Sequence, residues 1–287
     1  MVVIVMGPTG VGKSTFINAY MGEEVTKVSD RMESFLPDSH PTCPGRRLVL
    51  IDTPGFDDTY NPQYETLRRI SVALASTYDK DLKVGSVLYI NSVTQKRMFG
   101  SMRLDFEMFS EICGKRACPS VTVATTHWDS AELEAVGTGL SREEEFRTNF
   151  WKDIIEAGAS LERIQDYQSD PERIIDRILL KAQEKDVHTR ALQIQEELVE
   201  KEKFLAETEA AKKLRFSLAD IMELLKATPV SADLEQYRKK MADVQDQLEA
   251  LHVPLLEKFK EVFRFKRGSS SKRDEVIPES SERSSLN

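Results

Sequence analysis

The chain has 287 residues, enough for one large domain or two smaller ones. A formal net charge of −8, with 31% charged residues, gives no general attraction to nucleic acid or to anionic lipid. Cys43, Cys113 and Cys118 form no metal-ligand spacing and fit a reduced, cytoplasmic compartment, and no apolar run approaches the roughly 18 residues of a membrane span.

In chain order, the first element is the apolar, β-branched run Met1–Met6, too short for a signal peptide and read as a strand. It stops at Gly7-Pro8-Thr9-Gly10-Val11-Gly12-Lys13-Ser14-Thr15, and a helical pattern with Phe16, Ile17, Ala19 and Tyr20 follows at once. Strand, glycine loop and helix in this order, with the spacing G-x-x-x-x-G-K-S, make a phosphate-binding loop. Glycines let backbone N–H groups curl round a phosphate, and the helix N-terminus adds a positive dipole. Lys13 is placed to reach the β and γ phosphates and the Ser14 hydroxyl to ligate Mg²⁺. The stretch reads as a nucleoside-triphosphate site.

A polar segment with Pro37, Pro41 and Pro44 precedes a buried-type strand over 47–52, which ends in Asp52-Thr53-Pro54-Gly55. Such a turn is ordinary turn chemistry by itself. About forty residues after a phosphate loop, on a strand end, it places Asp52 near Mg²⁺ and the Gly55 N–H near the γ-phosphate. Lys13 and Gly55 are the candidate catalytic positions, and Ser14 and Asp52 the candidate metal ligands.

Apolar spacing predicts a helix over 63–77, a strand over 84–90 and a helix with Met102, Phe106, Phe109 and Cys113 on one face, closed by Gly114. A strand follows over 119–125. Ser141 and the glutamates after it start a helix that Phe146, Phe150 and Ile154 continue. A short strand near 161–165 and a helix opening at Pro171 complete an alternating pattern. Alternation means crossover units and a mostly parallel sheet, with ligands outside the carboxyl ends of the strands.

The fourth strand ends in Thr125-Thr126-His127-Trp128-Asp129. A carboxylate there can accept both N1–H and the 2-amino group of guanine, a pair adenine does not offer. Asp129 therefore favours GTP or GDP over adenine nucleotides; the plainer alternative is a helix cap or loop residue. Thr126 and His127 belong to the same candidate subsite, with a loop histidine as the plainer reading of His127.

From Glu184 the composition changes: no glycine occurs through Phe265, and Glu, Lys, Gln and Ala are dense. Leu234, Tyr237, Met241, Val244, Leu248, Leu251 and Leu255 recur at 3,4 spacing, a coiled-coil seam. An earlier set, Val187, Ala191, Ile194 and Leu198, drifts out of register near Leu205, and Leu214, Leu218, Ile221 and Leu225 resume it. A break at Ala227-Thr228-Pro229 predicts two helices and a turn. The expected domains are 1–183, the nucleotide unit, 184–266, a helical coiled-coil hairpin or extension, and 267–287, a Ser-rich disordered tail. The basic stretch 258–273 offers a membrane-attachment reading, although a charge run is more often a solvated face.

The three motifs over 7–15, 51–59 and 125–129, with Met108-Phe109 and Ile112-Cys113-Gly114, resemble the septin-like and immunity-associated branch of GTPases, in particular its fungal G-domain proteins. The resemblance covers about residues 1–183. It implies a Ras-like G domain, Mg²⁺ with GTP or GDP, and nucleotide-dependent homodimerisation, through the G domain or the coiled coil. Three departures stand out. Phe56 takes the place where Ras-type enzymes carry a water-orienting Gln, so unaided hydrolysis is expected to be slow. Glu33-Ser34-Phe35-Leu36 puts Leu36 where a switch threonine belongs, with Thr42 or Ser34 as substitutes. The short interval before the strand at Arg47 leaves little room for an antiparallel edge strand, which suggests a trimmed or divergent domain. Arg97 is a candidate cation supplied to a partner's site. The leading expectation is a slow, dimer-activated GTPase switch. The alternative is an assembly module in which nucleotide only props up a dimer; an ATPase or kinase is disfavoured by Asp129.

Overall fold

Val2–Met6 is buried along its whole length, as a central parallel strand covered on both faces must be. This strand, β1, is the axis of the computed structural model, which describes residues 1–25, 33–35, 48–55, 62–79, 84–94, 100–129, 139–184, 191–227 and 234–252. The other strands are β2 (Glu33–Phe35), β3 (Val49–Asp52), β4 (Val84–Ser92), β5 (Val121–Thr126) and β6 (Ser160–Arg163). Their order is β2-β3-β1-β4-β5-β6, and every pair is parallel except β2 with β3.

Residues alternate between the two faces of β1. Val3 and Val5 join Leu48, Leu50, Leu88, Ile90 and Ala124 beneath two helices, α1 (Lys13–Met21, through Phe16 and Ile17) and α6 (Asp170–Glu184, through Ile174, Ile175 and Ile178). The opposite face carries α2 (Gln63–Asp79) and α3 (Gly100–Cys113), whose Phe106 and Phe109 pack on Tyr89 of β4 with centroids 5.4 and 4.3 Å away. Each fully buried side chain of this size contributes about 1.5–3 kcal/mol of burial. The chain leaves β1 for α1 on one face and β3 for α2 on the other. The crevice between those two strand ends is therefore a topological switch point.

The sequence expectations are corrected in four places. An antiparallel edge strand does fit before β3: Glu33 pairs with Asp52 and Phe35 with Leu50. Three residues suffice because an edge strand pairs on one side only. Ser34 is a ladder residue opposite Ile51. Strand β5 starts later than expected, because Lys115–Ser120 forms a 3₁₀ turn containing Pro119. The helix from Ser141 does not run to Ile154. It divides into α4 (Gly139–Asn149) and α5 (Lys152–Glu156), with the N–H groups of Phe150 and Trp151 both donating to the Phe146 carbonyl. The break turns Trp151 fully inward, 5.2 Å from Phe146 and 6.5 Å from Phe106. The seam expected to start at Val187 does not run on as one helix either. Residues 193–207 are short helical turns, in which buried Gln195 donates from Nε2 to the Leu74 carbonyl (2.9 Å) and Thr77 Oγ1 (3.3 Å).

Helices α7 (Glu209–Ala227) and α8 (Leu234–His252) flank the expected break. Ala210, Ala211, Leu214, Leu218 and Met222 of α7 are buried, and α7 packs on α3 and α2, where Lys213 Nζ meets Glu107 at 3.0 Å. Helix α8 packs on α7 and α2, with Val244 and Leu251 buried. Among the described residues, no helix is long and apolar enough to cross a membrane. Leu36, Thr42, Phe56, Arg97, Leu255, the basic stretch 258–273 and the tail 267–287 lie outside the described residues.

Candidate functional site

The loop between β1 and α1 folds round the cation it carries. Lys13 is only 8% exposed, and its Nζ donates to the carbonyls of Gly7 (3.0 Å) and Pro8 (2.8 Å). The ammonium is thus held across the mouth of the loop, poised for the oxygens of a phosphate. Helix α1 has no side-chain cap and no acid in its first turn, so its N-terminal donors and dipole favour an anion. Gly12 sits at φ 95°, and a Cβ there would lie 2.5 Å from the Tyr167 hydroxyl.

The second motif is sewn to the first. Thr53 donates from both its backbone N–H (3.3 Å) and its hydroxyl (2.9 Å) to the Val5 carbonyl, which fixes the chain as it leaves β3. The Ser14 hydroxyl donates to Asp52 Oδ2 at 2.8 Å. Gly55 lies against Thr9: a Cβ at Gly55 would be 2.2 Å from Thr9 Oγ1 and 2.5 Å from its nitrogen. Only a glycine allows the two motifs this approach.

The donor set fits one cation type. Among the described residues no group of three or more His, Cys, Asp and Glu could hold a metal unaided. One hydroxyl beside one carboxylate suits Mg²⁺, which keeps waters and takes phosphate oxygens rather than an all-protein cage. Ser14 and Asp52 would hold it, and bound there it would neutralise charge on the phosphates.

The part of the site that carries the third motif is built from the ends of β5 and β6. Thr126 is fully buried and donates to the Val11 carbonyl at 2.8 Å, with the Asn91 carbonyl at 3.2 Å and His127 Nδ1 at 3.0 Å. Its hydroxyl braces the phosphate loop from behind. His127 takes a left-handed φ of 61°, and the chain turns there to present Asp129, which is exposed. After β6, the carboxylate of Asp170 accepts the N–H groups of Gln165 and Asp166, both at 2.8 Å, and bonds Arg173. Burial pushes the Asp170 carboxyl up, but those backbone donors and the Arg173 guanidinium outweigh it and hold it below the usual range. The loop so fixed carries Tyr167, whose phenol is raised by burial and then by the Asp129 carboxylate.

These parts enclose a cleft of about 330 Å³. Thr9, Gly10, Gly12, Lys13, Ser14, Thr15, Asp52, Gly55, His127 and Asp129 line it, together with Thr53, Pro54, Ile164, Gln165 and Tyr167. Gly7, Pro8, Val11 and Thr126 stand behind it as support. A larger cavity of about 880 Å³, between α3, α5 and the 191–213 segment, holds none of the motif residues. The stretch Asp166-Tyr167-Gln168-Ser169, between a strand and a helix, is where a further guanine loop is expected, but it has no diagnostic residues, so Tyr167 itself was not legible as a site residue. The one available signal was an aromatic residue just beyond a strand end on the ligand side of a parallel sheet.

The family described as "50S ribosome-binding GTPase" matches residues 2–105, the span from β1 into α3 that contains the first two motifs. The chain carries a GTP-binding G domain of the P-loop class. Its sequence is 27% identical over 158 residues to GTP-binding protein A of Dictyostelium discoideum, covering 55% of this chain and 34% of that protein. It is 28% identical over 131 residues to Translocase of chloroplast 90 of Arabidopsis thaliana, covering 44% of this chain and 16% of that one. The chain thus spans about a third or less of the length of these relatives. Toc33 of Arabidopsis thaliana, in complex with GDP and Mg²⁺, superposes on this chain with a TM-score of 0.50 at 17% identity, covering 68% of this chain and 87% of that one. At that identity the likeness is one of fold: a Ras-like sheet with its helices.

Proposed function

We propose that the chain is a Mg²⁺-dependent GTP-hydrolysing switch with slow unaided turnover, completed by a second copy across the nucleotide site. The observation that carries this reading is the convergence of Lys13, the Ser14–Asp52 pair and Gly55 at one end of a cleft whose other end holds Asp129. On this reading phosphate and metal would meet Lys13, Ser14 and Asp52, and guanine would meet Asp129. Lys13 would leave the Gly7 and Pro8 carbonyls for the β and γ phosphates, and the Gly55 N–H would report the γ-phosphate to the chain leading into α2. Within the G domains we place the chain near the septin-like and immunity-associated branch, on the motif residues already named. We take 1–183 as the nucleotide unit of a cytoplasmic protein and 184–266 as its helical partner, with the 234–255 seam available for coiled-coil pairing.

A second reading, an assembly scaffold with little hydrolysis, draws on one observation. Lys13 is the only Lys or Arg among the described residues lining the cleft. Phosphoryl transfer generally recruits a further cation. The two readings separate on the same sample. A fluorescent GTP analogue titrated with Mg²⁺ present should bind, be displaced by GTP and GDP, and resist ATP. Phosphate release is then followed on the same protein. Binding without release supports the scaffold, and equal displacement by ATP overturns the guanine assignment.

A further inference from the structure

Directly behind the base-selecting loop lies a closed ring of contacts that the nucleotide motifs do not explain. Glu143 of α4 is only 4% exposed, and its two oxygens face two different strands. Oε1 accepts the Thr125 hydroxyl of β5 at 2.9 Å, and Oε2 accepts Nε of Arg163 at the end of β6 at 2.8 Å, with Nη2 on the same oxygen. The Arg163 guanidinium lies over the Trp128 ring, 4.9 Å from its centroid, and the Trp128 indole N–H donates to the Thr125 carbonyl at 3.1 Å. That same carbonyl accepts the backbone N–H of Ile164 at 2.8 Å. Thr125, Glu143, Arg163 and Trp128 therefore close on one another, with both acceptor directions of the Thr125 carbonyl in use. The next residue in the chain is Asp129.

A core-filling role alone does not account for this arrangement. Arg163 is nearly half exposed, and an apolar side chain would cover an indole face at no cost in charge. A guanidinium instead fixes the tilt of the ring, because it must satisfy the Glu143 carboxylate and the ring face together. Trp128 is thus held by two partners, the Arg163 guanidinium and the Thr125 carbonyl, both tied to Glu143, and Asp129 is attached to it directly.

We propose that Arg163, oriented by buried Glu143 and laid across Trp128, is a positioning residue that holds Asp129 in the pose required to read the guanine edge. This rests on the base-selection reading of Asp129. It assigns specificity to three residues outside the ligand-lining set.

The test compares GTP with ITP, whose base lacks the 2-amino group that Asp129 would accept. Wild type, Arg163→Met, Arg163→Lys and Glu143→Gln are each titrated with both nucleotides in Mg²⁺. Exchange of the Trp128 indole N–H with solvent is followed by NMR in the same samples without nucleotide. The wild type should prefer GTP, Arg163→Met should lose about fivefold or more of that preference, and Arg163→Lys should recover much of it. Indole exchange should accelerate in Arg163→Met and Glu143→Gln. A preference for GTP over ITP that survives Arg163→Met, or indole exchange that does not change, overturns the proposal and leaves base selection by Asp129 intact. A wild type that binds GTP and ITP equally overturns base selection, and this proposal with it. A fall in melting temperature with an unchanged GTP-to-ITP ratio assigns the ring to stability alone and also overturns it.

Discussion

Asp129 and Tyr167 follow different strands, yet both line the cleft, and the Tyr167 phenol is raised by burial first and then by the Asp129 carboxylate. A separate role is expected of each. A carboxylate accepting two hydrogens from guanine makes charge-assisted bonds of about 1.5–3 kcal/mol each, so Asp129→Asn should weaken GTP by about a hundredfold and leave ATP unchanged. Competition titration measures both, and a parallel loss for ATP would assign the effect to loop damage. Tyr167 offers a ring at the base end and a hydroxyl close to Gly12. If the ring covers the base, Tyr167→Ala should lower affinity for guanine nucleotides by about tenfold and Tyr167→Phe by little, as stacking is worth about 1–3 kcal/mol. Equal losses in the two variants would mean that the hydroxyl, not the ring, is what the nucleotide requires.

Helix α2 follows the Asp52–Gly55 motif in the chain, and its first turn carries Glu65 clasped by Arg68 at 2.7 Å and Arg69 at 3.0 Å. The Arg68 hydrogen bonds, against an opposing cost of burial, lower the Glu65 carboxyl from 4.5 to about 2. A folded value below the unfolded one stabilises the protein above pH ~4.5, and that contribution is lost as pH falls from there toward ~2. Solvent screening limits it to about 1 kcal/mol. Denaturant unfolding of wild type and Glu65→Gln should therefore differ at pH 6 and converge toward pH 3, and a pH-independent gap would refute the linkage. At this scale the sequence was legible wherever one period or one motif governed an element. β1 through α1, β4, α3 with its Gly114 stop, and α6 all lie close to their expected places. It was illegible where tertiary contacts overrode the local pattern. The apolar spacing of Phe146, Phe150 and Ile154 reads as one helix, but burying Trp151 required a break. The spacing from Val187 reads as a seam, but Gln195 and its neighbours fold against α2. The three-residue β2 carries too little pattern of its own, since its pairing is set by β3. For the site, the motif residues Lys13, Ser14, Asp52, Gly55 and Asp129 were legible and line one cleft, whereas Tyr167, Glu143 and Arg163 depend on long-range adjacency that no local spacing encodes.

For the molecule as a whole, two features bear on how hydrolysis would be controlled. The cleft supplies a single Lys or Arg among its described lining residues, and the helical extension is docked on α2 and α3 rather than on the face that carries α1 and α6. None of the described residues lining the cleft comes from the helical extension, and a second copy that approached the cleft could contribute a cation to the β–γ bridge. Association of two molecules makes the active fraction depend on total protein, steeply below the dimer dissociation constant and flatly above it. Phosphate release per molecule should accordingly rise with protein concentration and then level off. Lys13→Ala should remove it at every concentration, because the loop then lacks the ammonium now held by the Gly7 and Pro8 carbonyls. Mixing a fixed, dilute amount of wild type with excess Lys13→Ala sharpens the test. If the trans cation comes from elsewhere on the surface, the variant still donates it, and release from the wild-type molecules climbs. A specific rate that stays constant over the concentration range, with dimers absent by sedimentation, would show that the site works alone at whatever speed Lys13 and a bound Mg²⁺ allow.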